Sequence, residues 1–446
     1  MKKLLVFGFL LIKSIVSDGQ SIHPNDPVVL PANLENMRTG QVLDAVTRDC
    51  MIILPVGTLE STSNDIPVGI NSVELQRSLD SLSLKNNAVI APAIWYSPTG
   101  YLVGGPGDGS FDMQTNAFVK YMEEVMTGFY MMGFKHVKIV IIHDLPGEDS
   151  PLVKACRYAI GNFFNEYWKD EEVGAGWWLN PEKDINYNKT SLEIISLKAE
   201  KQKINKGKSS SCLEEMTPSE IRKAAEAGLL CIVPVGVIEC HGNHNPVGCD
   251  IIKVKEPLLL TSARIPFVIA PAINYGGTAL AVSGPALGTM DMNGQTGYEY
   301  SLEVARGLIA LGFRHIIFCS GHQIGGAQSA GLELIAQEVR RMVTEKNGYG
   351  WMKRLKEGEK LYPVVEYIIN PATTDDHGGK CETSWMLYFR PSNTKMELLN
   401  PGDYEFCWMK DMESIRASYE QGKQMTEDIV EEWIKIIKER QVSPGK

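Results

Sequence analysis

The chain repeats itself. IILPVGTLESTSNDIPVGIN (52–71) reads against CIVPVGVIECHGNHNPVGCD (231–250), and IAPAIWY (90–96) against IAPAINY (269–275). GGPGDGSFDM (104–113) reads against SGPALGTMDM (283–292), and MGFKHVKIVIIHD (132–144) against LGFRHIIFCSGHQ (311–323). Every pairing keeps one offset, 179 residues, without a gap. A tandem duplication constrains the fold before any element is assigned: two copies of one domain, each built on the same pattern. In each copy, apolar runs of β character alternate with stretches whose apolar residues recur at three- and four-residue spacing. That spacing predicts helices over 116–132, 154–168, 295–311 and 327–343. Alternating strands and helices predict an α/β fold with a mainly parallel sheet in each copy.

The ends and the joint follow from local composition. Lys2 and Lys3 precede LLVFGFLLI (4–12) and the small residues Ser14, Ser17 and Gly19, so residues 1–19 read as a secretory signal peptide. Lys13 interrupts the run, which is shorter than the ~20 residues a bilayer span needs. A secreted or periplasmic protein, off the membrane once the signal is removed, is expected. The first copy is assigned to 30–169 and the second to 217–446. Residues 170–216, with KQKINKGKSSS at 201–211, read as an exposed linker. The second copy continues through VVEYIIN (364–370), ATTDDHGGKCETSWMLYFRP and a helical tail, for which the first copy shows no counterpart. With 44 Lys and Arg against 54 Asp and Glu, a net charge of −10 and no basic block, a nucleic-acid partner is excluded. Asn188-Lys189-Thr190 is a glycosylation acceptor in a glycosylating host.

Four of the eight histidines fall in Gly-rich loops of the second copy: His241, His244, His322 and His377. Glu239, His241 and Asp250 share one loop after a strand, and His322 arrives at the end of the next. Carboxylate and imidazole donors suit zinc- or manganese-type ions. Ligands in such sheets gather at the carboxyl ends of strands. Asp250 is positioned to bridge two ions. His244 serves either as a ligand or as a hydrogen-bonding support, which the residues leave open. His136 and His315 precede apolar strands and read as structural.

These residues carry a family resemblance. PVGVIECHGNHNPVGCD resembles the first signature of the creatininase (creatinine amidohydrolase) family, SGHQIGG its second and DHGGKCETSWMLYFRP its third. The resemblance implies a three-layer α/β/α sandwich in each copy. It implies hydrolysis of C–N bonds in cyclic amides, formamides or short peptides with Zn, Mn or Fe, some members acting on other ring carbonyl compounds. It also implies a small-molecule substrate, one or two ions per chain and a homo-oligomer. Position by position, Glu239, His241, Asp250 and His322 match metal ligands, and Glu382 is a further carboxylate at the metals. His377 matches a proton donor or substrate anchor, and Asp376 stands where some members have a catalytic Glu. Thr383 and Ser384 are expected to orient the site by hydrogen bonding. Ile324 occupies the place of a further Glu ligand, and Gly326 or Ala327 that of an Asn. Cys240, Cys249 and Cys381 flank the ligands and read as packing groups, with thiol ligation or redox lability as the alternative.

The fixed offset exposes the first copy as degenerate. Glu60 aligns with Glu239 and His143 with His322, but Thr62 replaces His241, Asp65 replaces His244 and Asn71 replaces Asp250. No dinuclear site is expected there. This copy is expected to pack on the second as one subunit on another, making a trimer equivalent to a hexamer. The function expected is a secreted metal-dependent hydrolase attacking a cyclic amide or related C–N bond. The alternatives are a non-catalytic binding protein on the same fold and a hydrolase of a ring ester or ketone.

Overall fold

The computed structural model describes residues 26–30, 32–61, 63–69, 75, 79, 87–99, 109–143, 150–167, 185–187, 190–198, 210–277, 288–322, 327–348, 361–371, 376–399 and 412–441. The expected signal at 1–19, Thr62, Asn71, Asn188, the Ser283-Gly284-Pro285 loop, Ile324 and Gly326 lie outside them.

One sheet contains β1 (Ala32–Asn33), β2 (Ile52–Val56), β3 (Val89–Ile90), β4 (His136–His143), β5 (Ile185–Tyr187) and β6 (Thr190–Lys198), in the order β1-β3-β2-β4-β6-β5. The other contains β7 (Cys231–Val235), β8 (Val268–Ile269), β9 (His315–Ser320) and β10 (Val364–Ile369), in the order β10-β9-β7-β8. All pairings are parallel except that of β5 with β6. Cys212 bridges Ile269 and so stands beside β8 as β1 stands beside β3. The two sheets share one topology, with β6 and β10 in the same place: His136 pairs with Ser191 and His315 with Val364.

That equivalence corrects two expectations. Residues 185–198 lie in the stretch read as linker, yet they complete the first sheet along the whole of β4. The first copy therefore has a strand corresponding to β10. The disguise is a register: the offset at this strand is no longer 179, and polar Glu193 and Ser196 dilute its apolar pattern. Lys138 of β4 pairs with Glu193 across the ladder at 2.6 Å, which explains one of those polar positions.

The helices are α1 (Thr39–Thr47), α2 (Thr115–Met132), α3 (Pro151–Tyr167), α4 (Pro218–Glu226), α5 (Cys249–Ser262), α6 (Gly294–Ala310), α7 (Ala327–Lys346), α8 (Lys380–Phe389) and α9 (Tyr419–Arg440). The four helices read from periodicity are α2, α3, α6 and α7. Strand alternation sorts the layers. Cys231, Val233 and Val235 face a core with Tyr300, Val304 and Leu308 of α6. Ile232, between them, faces Leu258 of α5, Trp385 of α8 and Trp433 of α9. Helices on both faces make the second copy a three-layer sandwich.

The copies meet through contacts that occur twice, each residue matched by the one 179 further on. Glu35 O accepts from Gly248 N at 3.0 Å, and Glu214 O from Gly69 N at 2.8 Å. Met37 O accepts from Val247 N at 2.8 Å, and Met216 O from Val68 N at 2.9 Å. Tyr96 Oη donates to Pro271 O at 2.7 Å, and Tyr275 Oη to Pro92 O at 2.6 Å. Tyr121 and Tyr300 stack with ring centroids 3.6 Å apart and planes 3° from parallel. This is an isologous interface drawn within one chain. It needs small residues where each of α2 and α6 meets the segment that precedes the other. A Cβ on Gly128 would lie 2.3 Å from Met290 Cε, and one on Gly307 2.0 Å from Phe111 Cε2. Gly161 in α3, by contrast, has nothing within 4 Å of such a Cβ.

The two kinds of glycine predict substitutions of opposite sign. Gly307→Ala should lower the urea-unfolding free energy by about 1–3 kcal/mol, because Phe111 cannot leave its buried slot without strain. Gly161→Ala should raise it by about 0.5–1 kcal/mol through helix propensity alone. Equal effects in denaturant titrations would contradict the close seating of Phe111 on α6.

Candidate metal centre

Strand β7 ends in Pro234-Val235, and the loop behind it carries Glu239, His241 and Asn245 to the start of α5. There Asp250 occupies the first turn. Strand β9 ends just before His322, and α8 begins just after His377 and brings Glu382 inward on its first turn. Glu239, His241, Asp250, His322 and Glu382 are all buried.

Two groups of donors form. Ligand atoms of Glu239, Asp250 and His322 lie within 4.8 Å of one another, as do those of His241, His377 and Glu382. His322 Nδ1 is 3.0 Å from Glu239 Oε2 and 3.3 Å from Asp250 Oδ2. His241 Nε2 is 3.5 Å from Asp250 Oδ1 and 3.4 Å from Glu382 Oε2. Asp250 therefore shows one oxygen to each group, the arrangement expected of a bridging carboxylate. His241 Nδ1 donates to Glu239 O at 3.0 Å, which leaves Nε2 aimed into the cluster. Glu239 Oε1 and His241 Nε2 have no hydrogen bond, while Glu239 Oε2 is met by His322 Nδ1. Orphaned buried donors and acceptors of this kind are costly unless something charged occupies their focus. The set fits a divalent cation.

The electrostatics follow from that crowding. Burial alone would lower His241 and His322, but the carboxylates overcome it. Glu382, Asp250 and Glu239 hold His241 up to about 9, and Glu239 and Asp250 hold His322 up to about 10. Burial would raise the carboxyls of Asp250 and Glu382, yet Lys253 and His241 hold both below their usual range. His244 is pushed down to about 3 by burial and by the neighbouring His241 charge, so it is a neutral ring.

The supporting residues divide differently from the sequence reading. His244 Nε2 meets Thr383 Oγ1 at 2.9 Å, Asn245 Nδ2 donates to the same hydroxyl at 2.9 Å, and Thr383 donates to Gly378 O at 3.2 Å. Thr383 thus ties the metal loop to the start of α8, and His244 is a support rather than a member of either donor group. Ser384 faces the other way: it donates to Lys380 O at 2.7 Å and accepts from Ser418 N at 3.1 Å, joining α8 to α9. Asp376 accepts from Cys381 N at 2.5 Å and Glu382 N at 3.4 Å, so it caps α8 and belongs to neither donor group. Burial and the Glu382 charge raise its carboxyl to about 7. His377 donates Nε2–H to Cys240 O at 2.9 Å, with Nδ1 3.8 Å from Glu239 Oε1. Its side chain is 20 % exposed, whereas those of the other five donors are at most 8 % exposed, so the centre is approached past His377. Cys249 is a buried thiol, its pKa raised chiefly by burial, and so not a thiolate ligand. Cys240 is disulfide-bonded, while Cys249 and Cys381 are free.

A family profile for creatinine amidohydrolase matches residues 35–193 and 214–437. The chain belongs to the creatininase family. The 3-dehydro-scyllo-inosose hydrolase of Thermotoga maritima is 28% identical over 102 residues, 23% of this chain and 32% of that protein, well under two thirds of its length. The creatinine amidohydrolase of Pseudomonas putida is 26% identical over 190 residues, 40% of this chain and 71% of that protein. A crystal structure of creatinine amidohydrolase matches with a TM-score of 0.43 at 20% identity, covering 52% of this chain and 99% of that one. Zn–Zn and Mn forms of creatininase match at 0.42.

In this creatininase-family chain the residue that sequence reasoning missed is Lys253. It is fully buried, and its ammonium lies 2.9 Å from Asp250 Oδ1 and hydrogen-bonds Glu382 Oε1. The signal was present: a lysine three residues after Asp250, flanked by Ile251, Ile252 and Val254 on a helix with an apolar face. Asn245 was also passed over, although it anchors Thr383.

Because His322 is protonated up to about 10 without a metal, ligation must expel its proton. Zn²⁺ uptake by chelator-stripped protein at pH 7.5 should release at least about one proton per ion, read from the dependence of calorimetric heat on buffer ionisation enthalpy. A heat independent of buffer would show that His322 reaches the ion already neutral or does not ligate it, and metal content of a His322→Ala variant separates the two.

Proposed function

We propose that this chain is a secreted, divalent-metal-dependent hydrolase that attacks a carbonyl of a cyclic amide or related C–N compound. The observation carrying this reading is the convergence of Glu239, Asp250, His322, His241 and Glu382, all buried, in two adjoining donor groups that Asp250 joins. A bound ion would supply an activated water and a Lewis acid for the carbonyl oxygen. Glu239, Asp250 and His322 would hold it. His377 flanks the open side as a neutral ring, since burial and the His241 charge lower its pKa. Its Nε2–H is committed to Cys240 O, so Nδ1 takes a proton from the attacking water and returns it to the departing nitrogen. Asp376, by capping α8, positions His377 and Glu382 rather than exchanging protons itself. The first copy acts as a permanent partner subunit, and three chains then make the equivalent of a hexamer. The secreted part of the proposal rests on the leader read at 1–19.

The inosose hydrolase among the relatives favours a second reading, in which the carbonyl belongs to a ring ketone. The same residues serve both.

A screen of cyclic amides, formamides and ring ketones with the metal-loaded protein tests the proposal. His377→Asn should lower kcat by about 10²–10⁴-fold while leaving metal content unchanged. Asp250→Asn should lose both metal and activity. Full activity in the Asp250→Asn variant would overturn the metal role of this centre, and a metal-loaded wild type inert to every class would favour a binding protein on an enzyme fold.

A further inference from the structure

Lys253 lies one turn after Asp250 on α5 and exposes none of its side chain. Its ammonium touches Asp250 Oδ1 and Glu382 Oε1, the carboxylates around which a second ion would have to assemble. His241 Nε2 faces those same two groups at 3.5 and 3.4 Å, and His377 is the other member of that donor group. The Glu239–Asp250–His322 group, by contrast, shows Asp250 Oδ2 and shares no atom with the lysine. Charge points the same way. Glu239, Asp250 and Glu382 carry three negative charges, and one divalent ion plus one ammonium already balances them, with His241 neutral beside the ion. A second dication beside the ammonium would leave two uncompensated positive charges in a buried site, at a large desolvation cost. At the position where the family resemblance leads one to expect a further carboxylate, the sequence has Ile324.

We propose that Lys253 replaces the second metal ion: the chain binds a single divalent cation at Glu239, Asp250 and His322, and the ammonium holds Asp250 and Glu382 as the missing ion would. The proposal rests on the reading of this cluster as a metal centre. A tethered ammonium donates hydrogen bonds but accepts no substrate oxygen as a ligand. The single ion and His377 therefore carry the chemistry, and Lys253 is a positioning residue.

The experiment is a metal count on the full chain, stripped with chelator, reloaded with Mn²⁺ and dialysed. Wild type should hold about one ion and Lys253→Met about two, since removing the ammonium reopens the second position. Asp250→Asn should hold none, assigning the ion to this centre. Electron paramagnetic resonance of the loaded wild type should show an isolated Mn²⁺ ion, and that of Lys253→Met an exchange-coupled pair. Two ions or a coupled spectrum in the wild type would overturn the proposal and leave the metal reading standing. A wild type that takes up none would overturn both. A folded Lys253→Met variant, checked by circular dichroism, that still holds one ion would remove Lys253 from the role. If that variant does not fold, the wild-type count and spectrum decide alone.

Discussion

The amides of Val247 and Gly248 are bound by the other half of the chain. Met37 and Glu35 supply the carbonyls, and the next residues are Cys249 and Asp250, which open α5. The geometry of the metal loop is therefore held by the degenerate copy. Gly248 lets that approach happen: a Cβ there would lie 2.5 Å from Glu35 O. Nearby, Thr39 Oγ1 reaches Cys240 Sγ at 3.1 Å, and Arg38 donates to Asn393 O at 2.7 Å while paired with Asp26. This gives a physical reason for a half that has lost its ligands to keep its fold. Isologous contacts come in pairs, and deleting one copy would strip the surviving site loop of backbone partners it cannot replace internally.

The second constraint is charge. Three carboxylates, three imidazoles and an ammonium share a region with almost no water access. Breaking any one pair in such a cluster leaves a buried charge unmatched, at several kcal/mol. Hydrogen bonds set which atoms face inward. Glu239 O accepts from His241 Nδ1–H, Cys240 O accepts from His377 Nε2–H, and Gly378 N donates to Glu382 Oε2 at 2.7 Å. The backbone of one loop thus selects the tautomers of two histidines. Around this, Thr383, His244 and Asn245 form a neutral polar brace between the loop and α8.

Much of this was legible in the sequence. The offset of 179 residues revealed the duplication, apolar periodicity located α2, α3, α6 and α7, and the ligand-type residues clustered in loops after strands. Less legible was whatever depends on which atoms meet across elements. Strand β6 hid in a stretch read as linker, because its partner β4 supplies Lys138 to neutralise Glu193 and makes a polar strand tolerable. Asp376 and Ser384 sit in motif positions, yet their side chains are spent on helix amides and on the α8–α9 joint.

The sequence by itself determined that there are two copies, that both are α/β, and that only the second retains Glu239, His241, Asp250 and His322 together, because periodicity and residue type are local properties of a chain. Only the tertiary structure decided that Lys253 stands against Asp250 and Glu382, that His377 presents Nδ1 rather than Nε2, and that residues 35–37 of one copy hold the loop of the other. Those outcomes depend on distances between segments far apart in the chain and on the cost of leaving a buried charge or amide unpaired.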